Sequence, residues 1–205
     1  MRDRTEKRAR GRPRAFDQDL ALQAASARFR TRGYSATSLD ELAAVTGVAR
    51  PSLAAAFGDK RALYLAALER TYGWLEQSFA GLIEAKLPLR EMLERMFRFS
   101  IKVYLDGEFG PSGCIALNTA VAEAVTDPDI RAMLSRVLDL EDRALRTMLA
   151  DAGSPTPEAH AHLAVSVLQA LSIRARTGRP REELEAIAAA CVDMIAGKPD
   201  GDSQS

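Results

Sequence analysis

Apolar side chains recur along most of this chain at the spacing of an α-helix. The first repeat consists of Leu22, Ala25, Ser26 and Phe29 at positions i, i+3, i+4 and i+7. Residues at this spacing share one face of a helix. Gly33 follows, and glycine is the residue type that most readily ends a helix. We therefore predict a first helix from about Phe16 to Arg32 that packs through this face.

Two short helical segments come next, with a turn between them. Ser38 precedes the first segment and Glu41 lies three positions later, which is the arrangement of a capping box. Gly47 ends this segment, and the second begins near Arg50. Two short helices joined by a tight turn and braced by a preceding helix form a helix-turn-helix, whose second helix fits the major groove of B-DNA. The pattern predicts this motif at about residues 39–57.

Beyond Lys60 the pattern predicts six further helices, which makes about nine in total. Breaks rich in Gly, Pro and Asp separate them at 86–88, 107–113, 127–128, 153–157 and 178–180. We expect an all-α fold with an N-terminal three-helix domain at 16–64 and a larger helical domain at 65–196. Residues 197–205 form a tail that we expect to be disordered.

The composition supports helices and shows that charge is unevenly distributed. Hydrophobic residues make up 47% of the chain and aromatic residues only 6%, which favours helices over sheets. The net charge is zero, but residues 1–61 hold 13 Lys or Arg against 7 Asp or Glu. This end therefore carries +6 and the remainder −6. We expect the N-terminal end to prefer polyanions.

Residues 1–15 carry seven of these basic side chains. Such a segment buries too little apolar surface to fold alone, so we expect a flexible basic arm. The arm is either a solubilising tail or a segment that lies along DNA phosphates or enters the minor groove. Its position beside the helix-turn-helix favours the second role.

Cysteine usage and hydropathy indicate the compartment. Cys114 and Cys191 are the two cysteines, and no His or Cys cluster accompanies them, which fits a reduced cytoplasmic protein. No apolar run reaches the roughly 18 residues that span a bilayer. We expect a cytoplasmic protein with no membrane partner, no metal site and no cofactor.

The stretch 16–68 resembles the N-terminal domain of the tetracycline-repressor (TetR) family. The matching positions are Phe29, Gly33-Tyr34, Thr37-Ser38, Leu42-Ala43, Gly47-Val48, Leu53, Phe57-Gly58-Asp59-Lys60 and Ala62-Leu63-Tyr64. The chain departs from the family at Ala49, where a Ser-like cap is usual, and at Ala54, where an aromatic residue, commonly Tyr, is usual. The resemblance implies that this Tyr contacts DNA, so its absence predicts weaker or differently distributed contact.

The resemblance also implies which residues contact DNA. The positions carried over are Thr37, Ser38, Arg50, Pro51, Ser52, Ala54, Ala55 and Lys60. Arg50 is the expected base reader, because its planar fork can bind guanine O6 and N7 together. Thr37 and Lys60 would hold phosphates, while Pro51, Ser52 and Ala55 would abut bases. The alternative is that these residues are an ordinary solvated surface.

The last two predicted helices, at about 158–176 and 180–196, carry wide apolar stripes. The resemblance implies that they form a four-helix interface in a homodimer. A two-fold dimer would place two recognition helices about 34–36 Å apart, on successive major grooves. The alternative is that the two helices only close an internal core.

We expect a small-molecule effector to bind among the middle helices, where the family places its pocket. The candidate residues are Trp74, Phe97, Tyr104, Phe109, Cys114, Asn118, His162, Ser166 and Gln169. Aromatic residues at helical spacing are also common in ordinary cores. Cys114 follows Gly-Pro-Ser-Gly at a predicted helix start, where a thiol pKa can be lowered and oxidants or electrophiles can react. The alternative is an inert cysteine near the pocket.

These features predict a sequence-specific DNA-binding transcriptional regulator, specifically a repressor that an effector releases from its operator. An activator, a redox-responsive regulator acting through Cys114 and a helical dimer with weakened DNA binding are the alternatives. An enzyme is disfavoured, because the sequence has no nucleophile elbow, phosphate loop or metal-ligand cluster.

Overall fold

The computed structural model describes residues 16–107 and 110–198. The predicted basic arm, Phe109 and residues 199–205 of the predicted tail lie outside these described residues. Nine α-helices and no strand occur within them, which confirms the all-α prediction. The helices are α1 (Gln18–Arg32), α2 (Leu39–Thr46), α3 (Arg50–Phe57), α4 (Lys60–Glu84), α5 (Leu89–Leu105), α6 (Val121–Glu123), α7 (Pro128–Asp151), α8 (Pro157–Arg176) and α9 (Arg181–Ala196). A π-helical turn, Ala116–Ala120, leads directly into α6.

Helices α1 to α3 form the N-terminal head. Ala25 and Phe29 of α1 are fully buried, and Leu42 of α2 and Leu53 of α3 pack into the same core. The predicted capping box is confirmed: the Glu41 backbone N–H donates to Ser38 Oγ over 3.1 Å. In return, the Ser38 backbone N–H donates to Glu41 Oε2 over 2.8 Å. The start of α2 is therefore fixed by its own sequence, as expected for this pattern.

Helix α4 belongs to both the head and the larger body. Its 25 residues correspond to a length of about 37 Å. Near its start, Tyr64 is fully buried against Phe29, with ring centroids 5.0 Å apart in an edge-to-face arrangement. Further along, α4 packs on α7. The helix therefore connects the head rigidly to the body.

Helices α5 to α9 form the body. Helix α7 packs on α4 and α8, and α9 packs on α5 and α8. The apolar stripe predicted for a dimer interface is partly a core of the single subunit, because Leu171, Leu184, Ala188, Cys191 and Ile195 are buried within it. Among residues 16–107 and 110–198, no helix is long and apolar enough to cross a membrane.

Candidate DNA-binding face and effector cavity

Helix α3 presents an exposed face on one side of the head. Leu53 is buried beneath it, whereas Arg50, Pro51, Ala54 and Ala55 are exposed. Leu53 holds the helix against the head, because the helical repeat directs its side chain away from the exposed ones. The outward face is therefore the side available to a DNA groove.

The turn before α3 depends on a glycine. Gly47 adopts a left-handed conformation, with φ 66° and ψ 16°, which glycine reaches without the penalty of a Cβ. Ala49 occupies the cap position of α3 and supplies no side-chain hydrogen bond. The backbone amides at the start of α3 therefore lack the cap that Ser or Thr would give.

The predicted base reader lies at the first residue of α3. Arg50 is exposed, and its Nη1 lies 3.3 Å from Asp40 Oδ1 of α2. Ion pairs between exposed side chains contribute little to stability, so this contact costs little to break. Arg50 is therefore free to exchange Asp40 for another acceptor.

Two of the predicted phosphate contacts, Thr37 and Lys60, donate hydrogen bonds to backbone carbonyls of the chain itself. Thr37 is only 1% exposed, and its hydroxyl donates to the Gly33 carbonyl over 2.7 Å. In this conformation the Thr37 side chain closes the turn after α1 instead of facing a phosphate. Lys60 is half-buried: its Nζ donates to the Tyr34 carbonyl over 3.2 Å and lies 4.2 Å from the centroid of the Tyr34 ring. Ser38 is exposed but already serves as the α2 cap.

A cavity of about 400 Å³ lies between the head and the body. Its walls come from α1, α4, α5, α7 and the loop before the π-helical turn. The volume falls within the range of small-molecule sites, about 300–1,000 Å³. Helix α1 contributes Gln23, Ser26, Ala27 and Arg30 to the wall. An occupant of the cavity would therefore touch the DNA-binding head directly.

Aromatic rings mark the opening of the cavity. Trp74 of α4 and Phe99 of α5 stack with their centroids 5.8 Å apart and are 38% and 43% exposed. The buried part of the lining includes Tyr104, Cys114 and Glu141. The cavity thus has aromatic rings at its exposed side and one acid, Glu141, in a largely apolar buried lining.

The cavity brings together three of the predicted effector residues, Trp74, Tyr104 and Cys114. The other described candidates do not line it. Phe97 is buried in the core of the body, and His162 and Ser166 are exposed on α8. Sequence spacing identified their helix faces but could not show which faces surround the cavity.

Asn118 and Gln169 lie behind the cavity wall. Asn118 Nδ2 donates to Ser172 Oγ over 3.0 Å, and the Cys114 backbone N–H donates to the same oxygen over 2.8 Å. Gly113 adopts φ 63° and approaches Ser172 so closely that a Cβ would collide with it. This cluster holds residues 110–114, the loop before the π-helical turn, against α8. We call this segment the cavity loop.

The pKa of the Cys114 thiol is raised from 9.0 to about 11, chiefly by burial. Glu141 contributes to the increase, while backbone amides at the start of the π-helical turn oppose it. The sequence leaves two interpretations open, a thiol activated at a helix start and an inert cysteine near the pocket. The raised pKa favours the inert cysteine in this conformation, because the loss of solvent outweighs the backbone dipoles.

The predicted candidates do not include the α1 wall, Phe99 or the buried acid Glu141, all of which line the cavity. Glu141 differs most from its surroundings. It is 2% exposed, and burial raises its pKa from 4.5 to about 7. A signal was available: Glu141 falls four residues after Val137 and four before Leu145, on the apolar face of α7. An acidic residue on a buried stripe is rare unless it is paired.

Polar contacts join the cavity loop and the body to the head. Arg176, at the end of α8, donates to the Arg30 carbonyl of α1 over 2.6 Å and to the Ser112 carbonyl over 3.3 Å. Arg61, near the start of α4, pairs with Asp127 over 2.5 Å and lowers the pKa of that carboxyl to about 2. Movement of the cavity loop or of α7 would therefore reach the head through these arginines.

An exposed second helix beyond a tight turn, mounted on a helical body, defines the class of helix-turn-helix transcriptional regulators. Comparisons with known proteins identify the family. The profile of "Bacterial regulatory proteins, tetR family" matches residues 21–67. That of the "Tetracyclin repressor-like, C-terminal domain" matches residues 89–197. The chain belongs to the TetR family of bacterial transcriptional regulators.

Two relatives from Escherichia coli (strain K12) match nearly the whole chain. The HTH-type transcriptional repressor ComR is 32% identical over 193 residues, covering 89% of this chain and 90% of ComR. The HTH-type transcriptional repressor BdcR is 27% identical, covering 95% and 97%. A solved structure of a cysteine-substituted TetR family transcriptional regulator, CifR, complexed with 26-base-pair double-strand operator DNA is also similar. It shows 30% identity and a TM-score of 0.76, with 90% of this chain and 100% of that one covered. The chain is a DNA-binding transcriptional regulator.

Proposed function

We propose that this protein is a homodimeric repressor that binds a double-stranded operator through α3 of each subunit and leaves it when a small molecule fills the cavity. The observation that carries the proposal is the exposed face of α3, with Arg50 at its first residue. Relatives named as repressors and the operator complex of CifR support it. The proposed site of action is the cytoplasm.

Recognition would rest mainly on Arg50. The exposed residues that follow it on α3, Pro51, Ala54 and Ala55, are small or apolar and suit contact with thymine methyl groups and the groove wall. Lys60 would supply a phosphate contact with the protons that its ammonium does not donate to Tyr34. With Ala at 54, the head lacks a bulky contact, which increases its dependence on Arg50.

The proposed dimer uses the outer faces of α8 and α9. Ile173 on α8 is 53% exposed and Met194 on α9 is 71% exposed, although large apolar side chains normally avoid water. Leu163 and Val167 are half-buried on the same helix as Ile173. A second copy that covers these residues would bury apolar area and place two α3 helices for successive major grooves.

Effector release would act through the cavity wall that α1 forms. A ligand between α1 and α7 would move the head relative to the body, because Arg176 and Arg61 tie the two together. Only a differential affinity for the two arrangements can shift their populations. A coupling of about 1–3 kcal/mol would change operator affinity about 5- to 150-fold.

A gel-shift titration tests the DNA-binding proposal. The DNA is the region upstream of the protein's own gene, with unlabelled nonspecific DNA as competitor. We expect a discrete complex with the unchanged protein. Arg50→Ala should weaken that complex by about 1–3 kcal/mol, roughly 5- to 150-fold, because alanine cannot form the bidentate hydrogen bonds to guanine.

The matched control is Arg143→Ala, which removes the same charge from an exposed position on α7. Its complex should be unchanged, and both variants should keep the helical content and the dimeric mass of the parent. Equal operator affinities for the Arg50 variant and the parent would contradict the proposed role of α3.

A further inference from the structure

The cavity contains a buried acid whose charge nothing in the described part of the chain neutralises. Glu141 lines the cavity, and its Oε2 accepts one long hydrogen bond, 3.4 Å, from Gln169 Nε2. Within residues 16–107 and 110–198, Oε1 accepts no hydrogen bond, and no Lys or Arg forms an ion pair with this carboxylate. An ionised carboxylate removed from water without a counter-ion is energetically costly. A positively charged group in the cavity would remove that cost.

We infer that the cavity binds an organic amine whose protonated nitrogen pairs with Glu141 and whose apolar body lies against the rings of Trp74 and Phe99. The inference deepens the proposed function, on which it rests, because it names the chemical class of the effector. The cavity of about 400 Å³ accommodates a ring joined to a short aminoalkyl chain.

The titration of Glu141 is consistent with this geometry. Its pKa is raised to about 7, chiefly by burial and also by Asp142, and the hydrogen bond from Gln169 is the one influence that lowers it. No nearby cation contributes. A bound ammonium would bring the pKa back down, and Glu141 would be fully ionised in the complex.

The rival anchors are two cavity-lining arginines, Arg30 of α1 and Arg70 of α4, which would favour an anionic ligand instead. Arg70 is exposed, so water screens its charge. The Nε of Arg30 is buried and has no hydrogen-bond partner. Arg30 as a whole is half-buried, whereas Glu141 is almost fully buried, and attraction to a charge grows as water is excluded around it. The aromatic rings at the mouth also attract cations and not anions. Both considerations favour the amine.

The chain offers a direct reporter of cavity occupancy. Trp74 lines the cavity and is the single tryptophan of the sequence. Its fluorescence, excited where phenyl rings do not absorb, therefore reports on this site alone. The probes are phenylbutylamine, phenylbutanol and phenylbutyrate, which share one apolar body and carry a positive, a neutral and a negative end group.

The titrations use the full-length protein at about pH 8, above the pKa of Glu141. We expect phenylbutylamine to bind at least about tenfold more tightly than phenylbutanol, with phenylbutyrate the weakest, because a charge-assisted contact forms only with the amine. Glu141→Gln keeps the shape and the Gln169 contact but removes the charge. The preference for the amine should disappear in this variant.

Asp139→Asn is the matched control, since Asp139 is exposed on the same helix and its replacement changes the net charge equally. This variant should keep the parent's preference. The inference is overturned if phenylbutyrate binds most tightly, if Glu141→Gln retains the preference for the amine, or if phenylbutylamine leaves Trp74 fluorescence unchanged. The gel-shift is independent of these titrations, so a failed amine preference beside intact operator binding would refute the ligand class and leave the DNA-binding proposal standing.

Discussion

Glu141→Gln should make the folded protein more stable at neutral and alkaline pH. Glu141 is 2% exposed, and its pKa rises from 4.5 to about 7 on folding. Because the folded state holds the proton more tightly than the unfolded state, the group destabilises the fold progressively as pH rises from 4.5 to about 7. The gap of about 2.5 pH units corresponds to about 3 kcal/mol per chain. Glutamine carries no charge, so the variant escapes this penalty.

The assay is thermal and urea unfolding of the parent and the variant at equal protein concentration, between about pH 4 and pH 8. At about pH 8 the variant should unfold up to roughly 6–12 °C higher, from the usual relation between free energy and midpoint for a chain of this size. At pH 4 both forms are neutral at this position, so the difference should vanish. Asp139→Asn, on the exposed side of the same helix, should change stability by no more than about 0.5 kcal/mol. A variant no more stable than the parent at pH 8, or a difference independent of pH, would refute the assignment of a buried unpaired acid.

Three further outcomes follow from other parts of the structure. Ser38→Ala removes the cap of α2 and should lower the free energy of unfolding by about 1 kcal/mol in urea titrations; an unchanged midpoint would contradict the capping role. The Cys114 thiol, with its pKa raised to about 11, should react with iodoacetamide about a hundredfold more slowly than an ordinary peptide cysteine at neutral pH; mass spectrometry would show rapid alkylation of the native protein if burial were not dominant. Deleting residues 1–15 removes seven basic and two acidic side chains, leaving six basic against five acidic residues in 16–61. If the arm binds phosphates, the slope of log affinity against log salt should fall by about 0.9 for each phosphate that the arm neutralises; an unchanged slope would assign the arm to solubility alone.

The head could be predicted from the sequence almost completely, because its signals are local. Ser38 and Glu41 fix the start of α2, Gly47 ends it, and Leu53 determines which face of α3 is buried. Each of these depends on residues within about four positions of one another, which is the range over which capping and helical periodicity operate. The structure confirms the predicted positions of α1 to α3.

The cavity could be predicted only in part, because its walls come from residues far apart in the chain. The sequence indicates Trp74, Tyr104 and Cys114 as candidates, but whether they line one cavity depends on how α4, α5 and the loop before the π-helical turn pack. Asn118 is a predicted candidate that does not line the cavity. Its amide donates to Ser172, 54 positions later, and so it stabilises the cavity wall from behind. Polar character alone could not distinguish these two roles.

The pKa of the Cys114 thiol is a second property that the sequence alone does not determine. Sequence position at a helix start indicates a favourable dipole, but it does not report how much solvent remains. The burial of Cys114 follows from the contact between its loop and α8, anchored at Ser172. Desolvation then outweighs the dipole and raises the thiol pKa, which favours the inert cysteine over the activated one.

Methylation interference on operator DNA tests whether α3 reads bases in the major groove. Methylation of guanine N7 blocks contacts in the major groove and leaves the phosphates intact. We expect two groups of interfering guanines, about 34–36 Å apart along the helix axis, one for each α3 of the proposed dimer. Arg50→Ala should remove the sensitivity at the guanine that Arg50 contacts in each group. Binding that is indifferent to guanine methylation, or an interference pattern that Arg50→Ala leaves intact, would contradict the claim that α3 reads bases in the major groove.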